Sequence, residues 1–501
     1  MTFLTTSAQH DPHGTAVIAP QGTLTWAEVE SRAHQVAHAL RAEGIDIGSR
    51  WALLSDNRIE WPELFLGNVL AGTQYVPLNW HLTVPELVYL LQNSSANFMV
   101  VDQKNEATGR AAAREVGIPD SRIVVLGDTY DAWRDAHSSS PFECTRTGSP
   151  LLYTGGTTGA SKGVVRADVG IPFDGWLAGV TNWGTYLGMP DEGVCYIATP
   201  LYHAFGTGVL QACFGRKHTI VLKERFIVED FLSDVEHYGV TSAPMVPTLM
   251  VRLAKLDDDA FTQHNLTSLK WVTHTAAPCP PWAKQRLIDL LGPIVVEFYG
   301  SSEGTGPVVC TSQEWMDRPG TVGKPAPILK ASVVDDDGNN LPPGEIGTLY
   351  FLRDGGPPQY HGDEAKTNAS RLPDGRFTVG DLGYMDSDGF IYLVDRRVDL
   401  IISGGSNIYP AEIEGVLSQH PAVRDVAVFG IPHSEFGQEV KAAIELEPGA
   451  QLTEAELIAW SKERLASYKC PKSVDFHDAL PREAHGKLKK RYLRDAYWPA
   501  T

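Results

Sequence analysis

Tyr153-Thr-Gly-Gly-Thr-Thr-Gly-Ala-Ser-Lys-Gly163 is the stretch from which the rest of the chain can be read. Leu151-Leu152 precede it and Val164-Val165 follow, so the pattern predicts a strand, a glycine-rich turn and a second apolar run in series. Glycines reach positive φ and let backbone N–H groups converge. Thr154, Thr157 and Thr158 add hydroxyls and Lys162 a point charge, which together make a phosphate cradle. It is not the phosphate loop of motor and kinase-type NTPases, which needs Gly-Lys-Ser/Thr, because Lys162 follows Ser161 and precedes Gly163. Gly206-Thr-Gly208 is no dinucleotide fingerprint either, since Gln211 stands where the third glycine belongs.

Outward from this turn, helical and strand patterns alternate. Thr25-x-x-Glu28 is a capping box that opens an amphipathic run through Ala42, and residues 51–55 read as a strand. The spacing then predicts a helix over 60–70, a strand over 75–78, a helix over 85–91 and a strand over 98–102. Such alternation argues for an α/β domain with mostly parallel strands. The end of the chain reads differently: a strand over 400–402, a Gly404-Gly405 turn, a helix from Pro410, strands over 426–429 and 440–446, and a helix from the Thr453-x-x-Glu456 box to about Leu465. This is a compact α+β unit of ordinary domain size. The expected division is a large domain over 1–395, a hinge at 396–399 with little Pro/Gly material, and a small domain over 400–501.

Composition narrows the class. The 501 residues carry 42 Lys+Arg against 61 Asp+Glu, a net charge of -19, which repels phosphate backbones and anionic leaflets. No nucleic-acid partner and no membrane-surface role is expected, and the single basic patch lies near the C-terminus. With 43% hydrophobic residues the chain can bury a large core, and its length calls for two or more domains. Six scattered cysteines form neither a disulfide framework nor a zinc site, and residues 1–12 lack the pattern of a secretory signal, so a reduced cytoplasm is the expected setting. Residues 193–215 contain no Asp, Glu, Lys or Arg, yet Pro200, His203, Gly206, Gly208 and Gln211 interrupt them; buried strands and loops are expected there, with no membrane span.

Residues 154–163 resemble the phosphate loop of the adenylate-forming superfamily, which includes acyl-CoA synthetases, luciferases and adenylation domains of peptide synthetases. The resemblance recurs in family order through Pro200-Leu-Tyr-His203, His274-Thr-Ala-Ala-Pro278, Phe298-Tyr-Gly-Ser-Ser-Glu-Gly304, Val379-Gly-Asp381, Asp395-Arg396, Ser403-Gly-Gly-Ser-Asn-Ile-Tyr-Pro410 and Pro481-Arg-Glu-Ala-His-Gly-Lys487. It implies a large N-terminal α/β domain of several subdomains and a small mobile C-terminal α+β domain. The implied enzyme is an AMP-forming acyl-CoA ligase: a carboxylate attacks the α-phosphate of ATP, and a thiol then takes the acyl group after the small domain rotates.

By the same resemblance, Thr154, Gly155, Gly156, Thr157, Thr158, Gly159 and Lys162 hold phosphates, Ser302 touches them, and Glu303 binds Mg²⁺. Ala276, Ala277, Pro278, Phe298, Tyr299, Gly300 and Ser301 surround the nucleotide, with Tyr299 against adenine and Asp381 on the ribose hydroxyls, assisted by Arg396. Lys487, with Glu303 and His203, is placed in the catalytic group, and Gly404 and Gly405 line the pantetheine channel of CoA. Phe173, Trp176, His203, Phe205, Gly206 and Thr275 surround the acyl group; they offer no charged partner for an amino group, so the expected substrate is a largely apolar acid, with a bulky cyclic one in view.

Some positions depart from the family pattern. Gly155 replaces a Ser, Ser161 replaces a Pro, Thr275 fills a position usually smaller, and Val398 stands where the hinge carries Asp or Lys. The first two changes loosen the loop, and a hydrophobic hinge favours burial of that segment in one domain orientation. Two alternatives therefore stand beside the ligase reading: thioester formation alone from a ready-made acyl-adenylate, and an acyl-AMP ligase that loads a carrier protein. The expected partners are the carboxylic acid or its adenylate and CoA, and a homodimer stays open.

Overall fold

The computed structural model describes residues 11–154, 161–165, 170–353, 356–357, 359–396, 398–404, 406–482 and 488–498. Ser149–Pro150, Gln74–Leu78, Arg50–Leu54, Met99–Asp102 and Ile123–Leu126 form a sheet in that order, every neighbour parallel. Met99–Asp102 and Ile123–Leu126 are buried along their whole length, as parallel strands covered on both faces must be. The helix Trp26–Ala42 starts at Thr25, whose side chain and Glu28 close the expected capping box.

A sheet of 13 strands carries the functional loops. Within it Gly193–Ile197, Ser242–Met245, Trp271–His274 and Val295–Tyr299 run parallel, and Val308–Cys310 and Thr321–Pro325 continue antiparallel. The carboxyl ends of Trp271–His274 and Val295–Tyr299 deliver Thr275–Pro278 and Gly300–Glu303 side by side, where open α/β sheets place their ligands. The strands on either side of the glycine-rich stretch, Leu152–Thr154 and Lys162–Val165, form an antiparallel pair, with Thr154 opposite Lys162. A third strand, Gln359–Tyr360, adds to its edge from far along the chain.

Residues 193–215 correct the sequence reading. Gly193–Ile197 is a strand, but Ala204–Gly215 is a helix with no exposed residue, so no polar face marks its period. Gly206 and Gly208 are there for close packing: a Cβ on Gly206 would lie 2.3 Å from the Pro200 carbonyl oxygen, and one on Gly208 3.1 Å from the Trp183 ring. Among the described residues no helix is long and apolar enough to cross a membrane.

Residues 401–477 build a separate sheet with its own core around Ile401, Ile413, Val428 and Ile444. Its centre is one long hairpin, Val423–His433 with Gly437–Leu446, rather than two short strands. Lys441 interrupts the apolar pattern but is buried in an ion pair with Asp475 at 2.8 Å, so the strand runs through it. Lys255 pairs with Glu447 across to this unit. Val398, in the predicted hinge, is 48% exposed, so the expected burial of that segment is not found in this orientation.

Candidate active site

Two strands beyond the parallel run complete a polar wall. Asp381–Met385 and Ile391–Arg396 pair antiparallel with Asp381 opposite Arg396. The Tyr299 hydroxyl donates to Asp381 Oδ2 at 2.7 Å, and Arg396 Nε lies 3.3 Å from Asp381 Oδ1. Burial, reinforced by the Asp381 charge, pushes the Tyr299 phenol well above its ordinary value, so it stays a donor. Burial pulls Arg396 down, but Asp381 and Asp399 outweigh it and hold the guanidinium above its usual range. Glu297 lies on the same strand as Tyr299 and faces the same cleft. Burial would raise its carboxyl; Lys284, 2.7 Å away and almost fully buried, keeps it below the ordinary value. Burial lowers the neighbouring His274 to about 4, so that imidazole is neutral, and neither of its nitrogens has a hydrogen-bond partner among the described residues.

Two cavities meet beside this wall. A cleft of about 1680 Å³ is lined by Tyr202, Ala277, Pro278, Tyr299 and Asp381 on one side and by Glu414, Arg482 and Leu488 on the other. A second cavity, of about 740 Å³, has an apolar end made by Phe65, Trp176, Val180, Trp183, Phe205 and Gly206. Its polar end carries Thr154, Ser302, Glu303, Tyr360 and Lys366. His203, Thr275, Ala276, Phe298, Gly300, Ser301 and Arg396 line both, which makes them the junction. Ala276 sits there at φ 79, in the left-handed region that costs a non-glycine residue about 1–2 kcal/mol.

At the polar end Glu303 accepts from the Tyr360 hydroxyl at 3.1 Å, and burial, then Glu303, push that phenol up. The Ser301 hydroxyl is buried with no hydrogen-bond partner among the described residues. The Glu303 carboxylate, with the orphaned Ser301 hydroxyl lining the same cavity, suits a hard cation with phosphate oxygens around it. Lys162 lines neither cavity; its amine is paired with Asp363.

Residues 4–360 match the AMP-binding enzyme family, and residues 412–487 match the AMP-binding enzyme C-terminal domain. The chain belongs to the AMP-binding enzymes. It is 32% identical over 491 residues to the feruloyl-CoA synthase of an Amycolatopsis species, covering 97% of this chain and 96% of that one. It is 30% identical over 511 residues to the fatty acid–[acyl-carrier-protein] ligase ScoC of Streptomyces coeruleorubidus, covering 98% and 95%. Among solved structures it resembles o-succinylbenzoate coenzyme A synthetase (MenE) from Bacillus subtilis in complex with ATP and magnesium ion, with a TM-score of 0.84 and 29% identity over 98% of this chain and 99% of that one.

Of the residues singled out from the sequence of this AMP-binding enzyme, the structure gathers Thr154, His203, Thr275–Pro278, Phe298–Glu303, Asp381 and Arg396 around the two cavities. Gly155, Gly156, Thr157, Thr158, Gly159, Gly405 and Lys487 lie outside the described residues. Phe173 does not line the acyl end; it packs 5.4 Å from Trp176, which does. Gly404 lines neither cavity and sits beside Phe436. Sequence reasoning missed Phe65, Trp183, Glu297, Tyr360 and Lys366. Glu297 was within reach, two residues before Tyr299 on a strand whose alternation turns both to one face.

One titrating group marks the junction with the small unit. Asp395 Oδ2 accepts from the backbone N–H of Ala411 at 3.1 Å, and Lys490 lies close, between it and Glu414. Burial pushes Asp395 up to about 6, with Glu414 adding to the rise and Lys490 opposing it. A carboxyl raised on folding contributes stability that is present below its unfolded value and lost as pH rises through the folded one. From about pH 5 to about pH 7 the thermal midpoint of the wild type should therefore fall relative to that of Asp395→Asn. Parallel midpoint curves across that range in scanning calorimetry would remove the assignment.

Proposed function

We propose that this AMP-forming acid–thiol ligase activates a largely apolar, bulky carboxylic acid as its acyl-adenylate and passes the acyl group to CoA, with the small domain, beyond a hinge at 396–399, changing orientation between the two steps. The single observation that carries the reading is the junction: a cavity of about 740 Å³ with one apolar end meets, at Thr275, Ala276 and Ser301, the cleft that holds the Tyr299–Asp381–Arg396 network. An acid whose body fills the apolar end has its carboxylate at that opening, beside the α-phosphate of a nucleotide whose ribose sits on Asp381. The carboxylate oxygen bonds to phosphorus as the bond to pyrophosphate breaks. Catalysis of such a transfer is positioning and electrostatics.

The ligase uses ATP and Mg²⁺, and Glu303 with the hydroxyls of Ser301 and Ser302 would hold the cation and its phosphates. Bound there, the ion would neutralise negative charge on the phosphates. Thr154 and the glycine-rich turn cradle the phosphates, Tyr299 flanks the adenine, and Lys487 reaches the carboxylate and α-phosphate during adenylation. In the thioester step the sulfur bonds to the acyl carbon, AMP leaves, and the Gly404-Gly405 turn replaces Lys487 at the site. The orientation seen agrees with the first step, since Arg482 and Leu488 line the cleft while Gly404 does not.

ScoC, which the chain also resembles, is named for a carrier-protein acceptor. The deciding experiment incubates the protein with ATP, Mg²⁺ and a panel of fatty, aromatic and polycyclic acids, then detects acyl-AMP and acyl-CoA by mass spectrometry, with a phosphopantetheinyl carrier protein in parallel. Acyl-CoA from bulky apolar acids is the expected result. Acyl transfer to the carrier alone, or thioester formation only from supplied adenylate, would replace the proposal.

A further inference from the structure

The strand Gln359–Tyr360 docks on Lys162–Val165, Tyr360 opposite Val164, and so ties the following residues to the glycine-rich turn. The short helix Glu364–Ala369 begins there, with Asp363 accepting from the Lys366 backbone N–H at 2.9 Å and pairing through its other oxygen with Lys162. The Lys366 ammonium lies 4.6 Å from the centre of the Tyr360 ring, and the Tyr360 hydroxyl donates to Glu303. Lys366 therefore stands at the polar end of the smaller cavity, near Glu303, while Lys162 is held off the cavity wall by Asp363. Burial and then the Lys162 charge lower the Lys366 ammonium, with Glu303 and Asp363 opposing. Asp363 is taken by Lys162 and Glu303 by the Tyr360 hydroxyl, so among the described residues the half-buried Lys366 ammonium has the Tyr360 ring beside it and no ion-pair partner, an arrangement that a bound anion would complete.

We propose that Lys366 is a binding residue for the β- and γ-phosphates of ATP and for the pyrophosphate that leaves, and that Asp363 occupies Lys162 until polyphosphate displaces it. The inference rests on the adenylation reading above and adds to it a cation that the glycine-rich motif does not contain. Arg353 reaches the same end, beside Gly304, and Arg396 is engaged by Asp381; among the described residues Lys366 is the lysine that lines this cavity.

The test is calorimetric titration of the full chain with magnesium pyrophosphate and, separately, with AMP, which lacks the phosphates in question. A charge-assisted contact of this kind supports a loss of about tenfold to a hundredfold. Lys366→Met should weaken pyrophosphate by that factor and leave AMP within about twofold. Lys366→Arg should restore most of the affinity, and Asp363→Asn, which keeps a capping side chain, should tighten pyrophosphate rather than weaken it. Unchanged pyrophosphate affinity in Lys366→Met, an equal loss for AMP, or weaker pyrophosphate binding in Asp363→Asn each overturns the proposal. Because the titration needs no acid, a protein that shows this contrast yet activates no acid would overturn the functional reading and not this one.

Discussion

Lys487→Ala is expected to slow acyl-adenylate formation by about a hundredfold to a thousandfold while leaving acyl-CoA formation from supplied acyl-adenylate close to the wild-type rate. The size follows from the loss of one preorganised cation where charge develops, about 2.7–4 kcal/mol. The selectivity follows from geometry. Arg482 and Leu488, which bracket the segment carrying Lys487, form an antiparallel bridge and both line the cleft with Tyr299 and Asp381. Arg482 is fixed by two bonds to Asp425, at 2.5 and 2.6 Å, and the Lys489 N–H donates to the Pro481 carbonyl at 2.8 Å, so the bracket is rigidly mounted on the small unit. The proposed rotation of that unit would carry the bracket away from the cleft as a body, and a lysine that leaves before the thiol arrives would have no part in the second step. Pyrophosphate release and thioester formation, measured separately, check both halves; a variant slow in both would make Lys487 a structural cation.

The parts of this fold legible in the sequence are those whose signal is local. The capping box at Thr25 and Glu28, the parallel strands of the first sheet and the paired strands Leu152–Thr154 and Lys162–Val165 each follow from periodicity over about a dozen residues. The motif residues then assemble because strand ends deliver them: Thr275 and Gly300 are far apart in the chain but follow neighbouring parallel strands. What was not legible depends on long-range packing. Ala204–Gly215 carries no amphipathic period because none of its residues is exposed. Phe173 and Trp176 share the first turn of one helix, and Trp176 alone reaches the cavity because it sits against Phe65, 6.1 Å away and more than a hundred residues earlier. Gln359–Tyr360 is two residues long, too short for any alternation, yet it brings Tyr360 and Lys366 to Glu303.

Asp381→Asn should damage both half-reactions, in contrast to Lys487→Ala, because the ribose proposed to sit on Asp381 is present in the acyl-adenylate as well as in ATP. The wild-type carboxylate is 6% exposed, takes the Tyr299 hydroxyl on Oδ2 and faces Arg396 on Oδ1, so its charge is already fixed in place when nucleotide arrives. Hydrogen bonds to a charged acceptor contribute about 1.5–3 kcal/mol each. Two ribose hydroxyls on this carboxylate, partly replaced by the amide oxygen of Asn, give an expected loss of about a hundredfold in affinity for both ATP and AMP. The amide keeps the volume and can still accept from Tyr299, but its NH2 then faces the Arg396 guanidinium, so the wall loses an ion pair together with the charge. A sharper readout is the preference for ATP over its 2′-deoxy analogue. A site built to bond a hydroxyl discriminates strongly against its absence, so the wild type should prefer ATP and the variant should lose most of that preference. A variant that binds ATP a hundredfold more weakly yet keeps the full discrimination would show that Asp381 supports the wall through Arg396 and Tyr299 without touching the ribose.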